Sequence, residues 1–253
     1  MRIILKYILQ LLSIWAVAKH EIELVIVIGW LGVELTKEGV YSVLKEKFIV
    51  RRNTKPIWWD LSIPLNILGY EDKERKILDW IRLIIKSICI LILKRKSKYT
   101  LILSVHSGVQ STAIYWGKII KPNYLIIVNH SKKSSVTDHL IKATIKYGGL
   151  IIYDKDDFKS KKFSRGFMYG TTKSAHVSYT ENKQAIIIKY KKHKVRFPKY
   201  YIPSYTKKFI AAIVAFSIAR GVDIDDILSG LLKFDLRERI LEKISKKISE
   251  KES

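Results

Sequence analysis

One stretch constrains this chain more than any other: Glu23 to Gly39, ELVIVIGWLGVELTKEG. Leu24 to Ile28 is an unbroken apolar, β-branched run, the pattern of a strand buried on both faces of a parallel sheet. A glycine turn follows (Gly29, Gly32), and from Leu35 to Lys47 the apolar residues return at helical spacing. Strand, glycine turn, helix is the layout of a loop that cradles phosphates on backbone N–H groups. Such a loop ends Gly-Lys-Ser/Thr, with the lysine on the phosphates and the hydroxyl on magnesium. Here Gly32 is followed by Val33 and Glu34, so the loop charge is removed and in part reversed.

The rest of the chain repeats the alternation. Phe48–Arg51 reads as a short strand, Arg52–Gly69 as a turn-rich segment with Pro56, Trp58, Trp59 and Pro64, and Glu74–Leu93 as a helix. Strands follow at Thr100–Val105, Tyr124–Asn129 and Leu150–Tyr153, separated by helices at Gln110–Ile120 and Val136–Tyr147. Strands joined through helices imply a mostly parallel sheet with helices on both faces. Phe167–Tyr169, His176–Glu181, Ala185–Tyr190 and Lys194–Phe197 read as a small antiparallel β addition, with Lys189–Lys194 at a hairpin tip. Helices Tyr205–Arg220 and Asp223–Leu232 close the domain, taken as residues 1–235, and residues 236–253 read as a charged helical tail.

Charge narrows the partners. Lysine and arginine number 47 against 23 acids, a net +24, which suits nucleic acid, an anionic surface or an acidic partner, and equally a lysine-rich thermophile surface. Basic runs lie at Lys94–Lys98, Lys159–Arg165, Lys189–Arg196 and Lys243–Lys251. The single cysteine, Cys89, excludes an internal disulfide and fits a reducing cytoplasm. Met1–Ala18 and Ile77–Leu93 are apolar but carry Lys6 and Gln10, and Asp79, Arg82 and Lys86. Both read as amphipathic helices covering a sheet, so no transmembrane span is expected.

Several segments in this order resemble the central, ATP-binding domain of the Mur ligases, most like the type that adds D-alanyl-D-alanine. They are Thr36-Lys37-Glu38 with Tyr41 and Leu44, Ile63-Pro64-Leu65-Asn66-Ile67-Leu68, Lys121-Pro122 before Ile126-Ile127-Val128-Asn129, and Gly148-Gly149 before Tyr153 to Asp157. Ala211-Ala212-Ile213 through Gly221-Val222 matches the closing helix pair. The resemblance implies a P-loop-like fold, ATP and magnesium as cofactors, and ligation of a carboxylate to an amine through an acyl-phosphate. It places Gly29, Gly32 and Thr36 at a degenerate nucleotide loop and Asp156 and Asp157 at the adenine-side turn. The departures fall on the chemistry. The loop lysine is missing, and the family's magnesium-binding glutamate falls on Ser104. The segment after Asn129 is short, and the family's His-Asn…Asn element falls on Ser204, Tyr205 and Lys208.

From the residues themselves, Ser104, His106, Asn129 and His130 fall at strand carboxyl ends, where open α/β sheets bind ligands. With Lys132 and Lys133 they form a candidate polar cleft for an anion. No metal spacing is present, and the acid turn Asp154, Asp156, Asp157, beside Lys155 and Lys159, reads as a solvated turn. Trp30, Leu31 and Val33 imply a loop turn packed against protein. The expected function is a homologue that has lost ligase catalysis and serves as a binding or assembly subunit, partnered by an intact ligase or another protein. The alternatives are an active ATP-dependent carboxylate–amine ligase, and a basic protein that binds nucleic acid or a membrane surface.

Overall fold

The computed structural model describes residues 2–54, 57, 61–71, 73, 75–93, 95–106, 121–130, 134–158, 162–198 and 206–234. The expected helix at 110–120, Trp58, Trp59, Lys132, Lys133, Ser204, Tyr205 and the tail from 236 onward lie outside the described residues.

Helix α1 (Arg2–His20) precedes β1 (Glu23–Gly29), α2 (Val33–Leu44) and β2 (Val50–Arg52). Two helices, α3 (Ser62–Leu68) and α4 (Ile77–Leu93), lead to β3 (Thr100–His106) and β4 (Tyr124–Val128). Then come α5 (Ser135–Lys146), β5 (Leu150–Asp154), β6 (Gly166–Gly170), β7 (Val177–Glu181), β8 (Ala185–Tyr190) and β9 (His193–Pro198). Helices α6 (Lys207–Ala219) and α7 (Ile224–Leu232) follow. The nine strands form one sheet in the order β2-β3-β1-β4-β5-β6-β7-β8-β9.

β1 is the second innermost of the parallel strands and is buried on both faces, as its continuous apolar run predicts. Val25 and Val27 point into a core made with α2, α6 and α7, while Leu24, Ile26 and Ile28 point into the opposite core with α1, α3 and α5. On the first face α6 approaches closely through Ala211, Ala212 and Ala215, all buried, and Gly230 of α7 lies against the backbone of Val43. Parallel register sets Gly29 level with His106 on one side and Val128 on the other. The loops after β3, β1 and β4 therefore leave the sheet at one height.

Two local expectations are corrected. The segment Arg52–Gly69 is not all turn, because it contains α3; Pro64 is tolerated there in the first helical turn, where the missing N–H has no intrahelical partner to lose. Phe167–Tyr169 is not antiparallel: β6 pairs parallel with β5 and, through two residues, parallel with β7. A six-residue connection suffices for that second parallel pair because β7 starts level with the end of β6, so the chain steps sideways instead of crossing back. Antiparallel pairing is confined to β7 with β8 and β8 with β9.

Helices α1 and α4 cover the sheet on one side only. The window Ile3–His20 is long and apolar enough to cross a membrane by composition, with mean hydropathy 1.3, and only 28% of it is buried. Helix α1 reaches that length because it continues two residues beyond Ala18.

Candidate functional site

The carboxyl edge of the sheet brings together Gly29, His106, Asn129 and His130, as their strand ends require. The turn after β1 is tight: a Cβ on Gly29 would sit 1.8 Å from the Val128 carbonyl oxygen. Gly32 has φ +78°, and a Cβ there would lie 2.2 Å from the Phe209 ring of α6. Both glycines are thus required by close approach. Gly32 leads into α2, and the Thr36 hydroxyl donates back to the Gly32 carbonyl at 2.9 Å. Val33 is buried, whereas Trp30 and Leu31 are 58% and 55% exposed, so the expected packing of the turn against protein is not seen for these two. The Trp30 ring meets the His106 ring edge-on at 5.4 Å, and the Trp30 backbone N–H donates to the Asn129 carbonyl at 3.4 Å. Asn129 itself takes φ 51°, in the left-handed region.

Behind the turn runs a buried polar chain. The Lys37 side chain is 0% exposed, and its ammonium lies 2.6 Å from Glu34 and 3.5 Å from Glu38. It also donates to the Asn53 carbonyl at 2.7 Å. The Asn53 side chain donates to the Ser104 hydroxyl at 2.8 Å and accepts from the Ser104 N–H at 3.0 Å. Ser104, a predicted cleft residue, is therefore buried beneath the edge and engaged in tying β3 to the end of β2. Lys37 went unrecognised from sequence as a functional position; the signal available was its spacing of three from Glu34 on one helix face.

A second cluster lies at the end of β5. It is not the solvated turn expected: Asp154 is 1% exposed. The Lys208 ammonium on α6 sits 3.0 Å from both Asp154 and Asp157. Asp157 also accepts from the His130 N–H at 3.3 Å, and the His130 ring stacks on Phe158 at 4.4 Å. Asp156 accepts from the Thr171 N–H and hydroxyl at 2.8 and 2.9 Å. Burial, more than the opposing Lys208 charge, moves the Asp154 carboxyl above its ordinary 3.8. Burial works against the Lys208 charge too, but its hydrogen bonds to Asp157 and Asp154 hold the ammonium above 10.5. Burial and these carboxylates push the Tyr169 and Tyr179 phenols far upward. The cluster therefore holds its charge internally, with phenols locked in the protonated form.

A raised carboxyl pKa means the folded state holds more protons than the unfolded chain between 3.8 and the raised value, so this term loses stability as pH rises through that window. Asp154→Asn, which keeps the acceptor for the Asp156 N–H, removes the term. Urea unfolding is expected to show a smaller stability deficit of Asp154→Asn against the parent at neutral pH than near pH 4; a deficit that grows with pH would refute the assignment.

No protein-family model matches the sequence, and no curated protein does. Solved structures do match. MurF from Acinetobacter baumannii superposes with TM-score 0.58 at 18% identity, covering 88% of this chain and 48% of that one. MurF ligase from Thermotoga maritima, solved in complex with ADP, gives 0.59 at 17%, covering 87% and 51%. A pseudomurein peptide ligase type C from Methanothermus fervidus gives 0.58 at 13%, covering 85% and 50%. The fold is that of the Mur ligase central domain. The chain spans about half the length of these Mur ligase structures.

The described residues at this edge do not fit ATP and magnesium, the cofactors that the Mur ligase fold implies. At the start of α2, where a helix N-terminus would receive phosphate, stand the Val33 side chain and the Glu34 carboxylate. The nearest buried cation, Lys37, is already shared between two carboxylates and a carbonyl. Ser104 carries no charge for a metal, and its hydroxyl is taken by Asn53. Among the described residues, no group of three His, Cys, Asp or Glu side chains is arranged to hold a metal ion.

Proposed function

We propose that this chain is a Mur ligase-fold domain that has lost ATP-dependent ligase catalysis and works as a binding or assembly subunit. The observation that carries this reading is the Glu34–Lys37 pair. The loop that would need a free cation presents a carboxylate instead, and Lys37, buried beside it, is committed to holding that carboxylate. Phosphoryl transfer depends on electrostatic stabilisation more than on any covalent step by the protein. A loop with reversed charge forfeits that contribution. The scaffold of such a loop is formed here in the tight Gly29 turn, the left-handed Gly32 and the buried β1. Retained scaffold with altered charge supports a partner-binding role, with an intact ligase or another protein subunit as the partner.

Titration calorimetry with ATP and magnesium tests this directly. No heat of binding is expected at millimolar nucleotide. Micromolar binding would overturn the reading and favour an active carboxylate–amine ligase built on different residues. Salt-sensitive retention on a nucleic-acid column, abolished by substituting Lys191 and Lys192 at the β8–β9 tip, would instead favour a nucleic-acid role.

A further inference from the structure

The outer face of α1 and α4 is unlike the rest of the surface. Of the twenty large hydrophobic side chains exposed among the described residues, six lie on α1 and seven on α4. The two helices contact each other, and α1 is pinned to the domain through buried Leu9, Leu12 and Ser13, whose hydroxyl reaches the Pro64 carbonyl of α3 at 3.5 Å. The Lys19 ammonium donates to the Leu91 carbonyl near the end of α4. On α4 the residues buried in the domain are Leu83, Ser87 and Leu91, a single narrow stripe. The opposite stripe is Leu78, Ile81, Ile85, Ile88 and Ile92, all exposed. A helix apolar on both sides requires a second apolar surface.

The charges say which kind. Arg82 and Lys86, one turn apart, run along one flank of the exposed α4 stripe, with Asp79 as the acid on that flank. Arg95, Lys96 and Lys98 follow the helix, and α1 has no acidic residue between Arg2 and His20. Exposed Tyr7 and Trp15 on α1 are the aromatic types that settle at a lipid headgroup boundary. Apolar stripe, flanking cations and interfacial aromatics are the make-up of a helix lying in a membrane surface, its long cationic side chains reaching to the headgroups. Protein interfaces, by contrast, are depleted in lysine. A cavity of about 450 Å³ between α1, α3 and α4, lined by Ala16, Leu68, Ile90 and Leu91 and reached by the Arg51 guanidinium, lies beneath the same pair of helices.

We infer that the α1–α4 face docks this protein on an anionic lipid surface, with both helices lying in the plane of the headgroups. Because Leu9, Leu12, Ser13 and Ala16 of α1 are buried against the domain, α1 lies on the bilayer and does not span it. This inference stands apart from the nucleotide reading and holds whether or not ATP binds.

The test is sedimentation of the full chain with vesicles of equimolar phosphatidylglycerol and phosphatidylcholine, and with vesicles of phosphatidylcholine alone. The parent is expected to sediment with the anionic vesicles, less so at high salt, and weakly with the neutral ones. Ile81 and Ile85 are 48% and 56% exposed, so Ile81→Glu with Ile85→Glu is expected to leave the unfolding transition in place. The same pair of substitutions is expected to weaken vesicle binding by more than about tenfold. Arg82→Glu with Lys86→Glu is expected to abolish the preference for anionic vesicles. Absence of sedimentation, or binding indifferent to the apolar pair, would overturn the proposal. So would a lipid-free dimer, seen by light scattering, that dissociates on the same substitutions while vesicles are ignored; that would assign the face to a second copy of this chain.

Discussion

Lys37→Met is expected to lower the free energy of unfolding by about 3 kcal/mol, the lower end of what breaking a buried ion pair costs. The ammonium is 0% exposed and is the shared partner of Glu34, Glu38 and the Asn53 carbonyl. Methionine fills much of the volume but leaves Glu34 and the carbonyl without their donor. Glu38 keeps its second partner, Arg52 at 2.9 Å, and Glu34 is 24% exposed, so the loss stays short of the full penalty for a stranded buried charge. Urea unfolding measures it. Combining Lys37→Met with Glu34→Gln is expected to recover part of the loss, because the two residues are coupled and their effects do not add. A single-variant cost under about 1 kcal/mol would show that the pair behaves as a solvated one, whose worth is that small.

Gly29→Ala is expected to cost more, about 4 kcal/mol, at the upper end for single substitutions. The added methyl would lie 1.8 Å from a backbone oxygen of β4, which has no rotamer to escape into. Either β1 and β4 separate locally or the turn is rebuilt. Gly221→Ala serves as the contrast. Its φ of +85° is strained for alanine, but nothing lies within 4 Å, so it is expected to lose only the left-handed backbone penalty of about 1–2 kcal/mol. If the two variants melt alike, the close approach at Gly29 is not what fixes the centre of the sheet.

The fold was legible where the pattern is local. β1, β3, β4 and β5 read as buried parallel strands because their apolar runs admit no other period, and the strands lie within a residue or so of the expected bounds. What was not legible depended on partners far along the chain. The direction of β6 is set by its pairing with β5, which no alternation within GFMYG reveals. Asp154 reads as part of a solvated acid turn until Lys208, 54 residues later, is placed against it. Lys37 resembles any surface lysine spaced three from a glutamate; only the approach of Asn53 from the end of β2 makes it buried. Helix α3 was hidden by Pro64, whose usual meaning as a breaker does not apply in a first turn. At the loop the sequence carried the essential fact, that Val33 and Glu34 follow Gly32, but not that the substituted carboxylate would be held in place from behind.

The sideways step from β6 to β7 has a consequence for approach. Because Ser178 pairs with Gly170 at the end of β6, the three remaining residues of β7 extend past the level at which β6 stops, by about 10 Å along the strand at 3.3 Å per residue. β8 and β9 pair along that length and thicken it into a wall. The rim on which Gly29, His106 and His130 sit is thus a ledge shielded on one flank. A visitor to it meets the projecting end of β7 on the far side of β6.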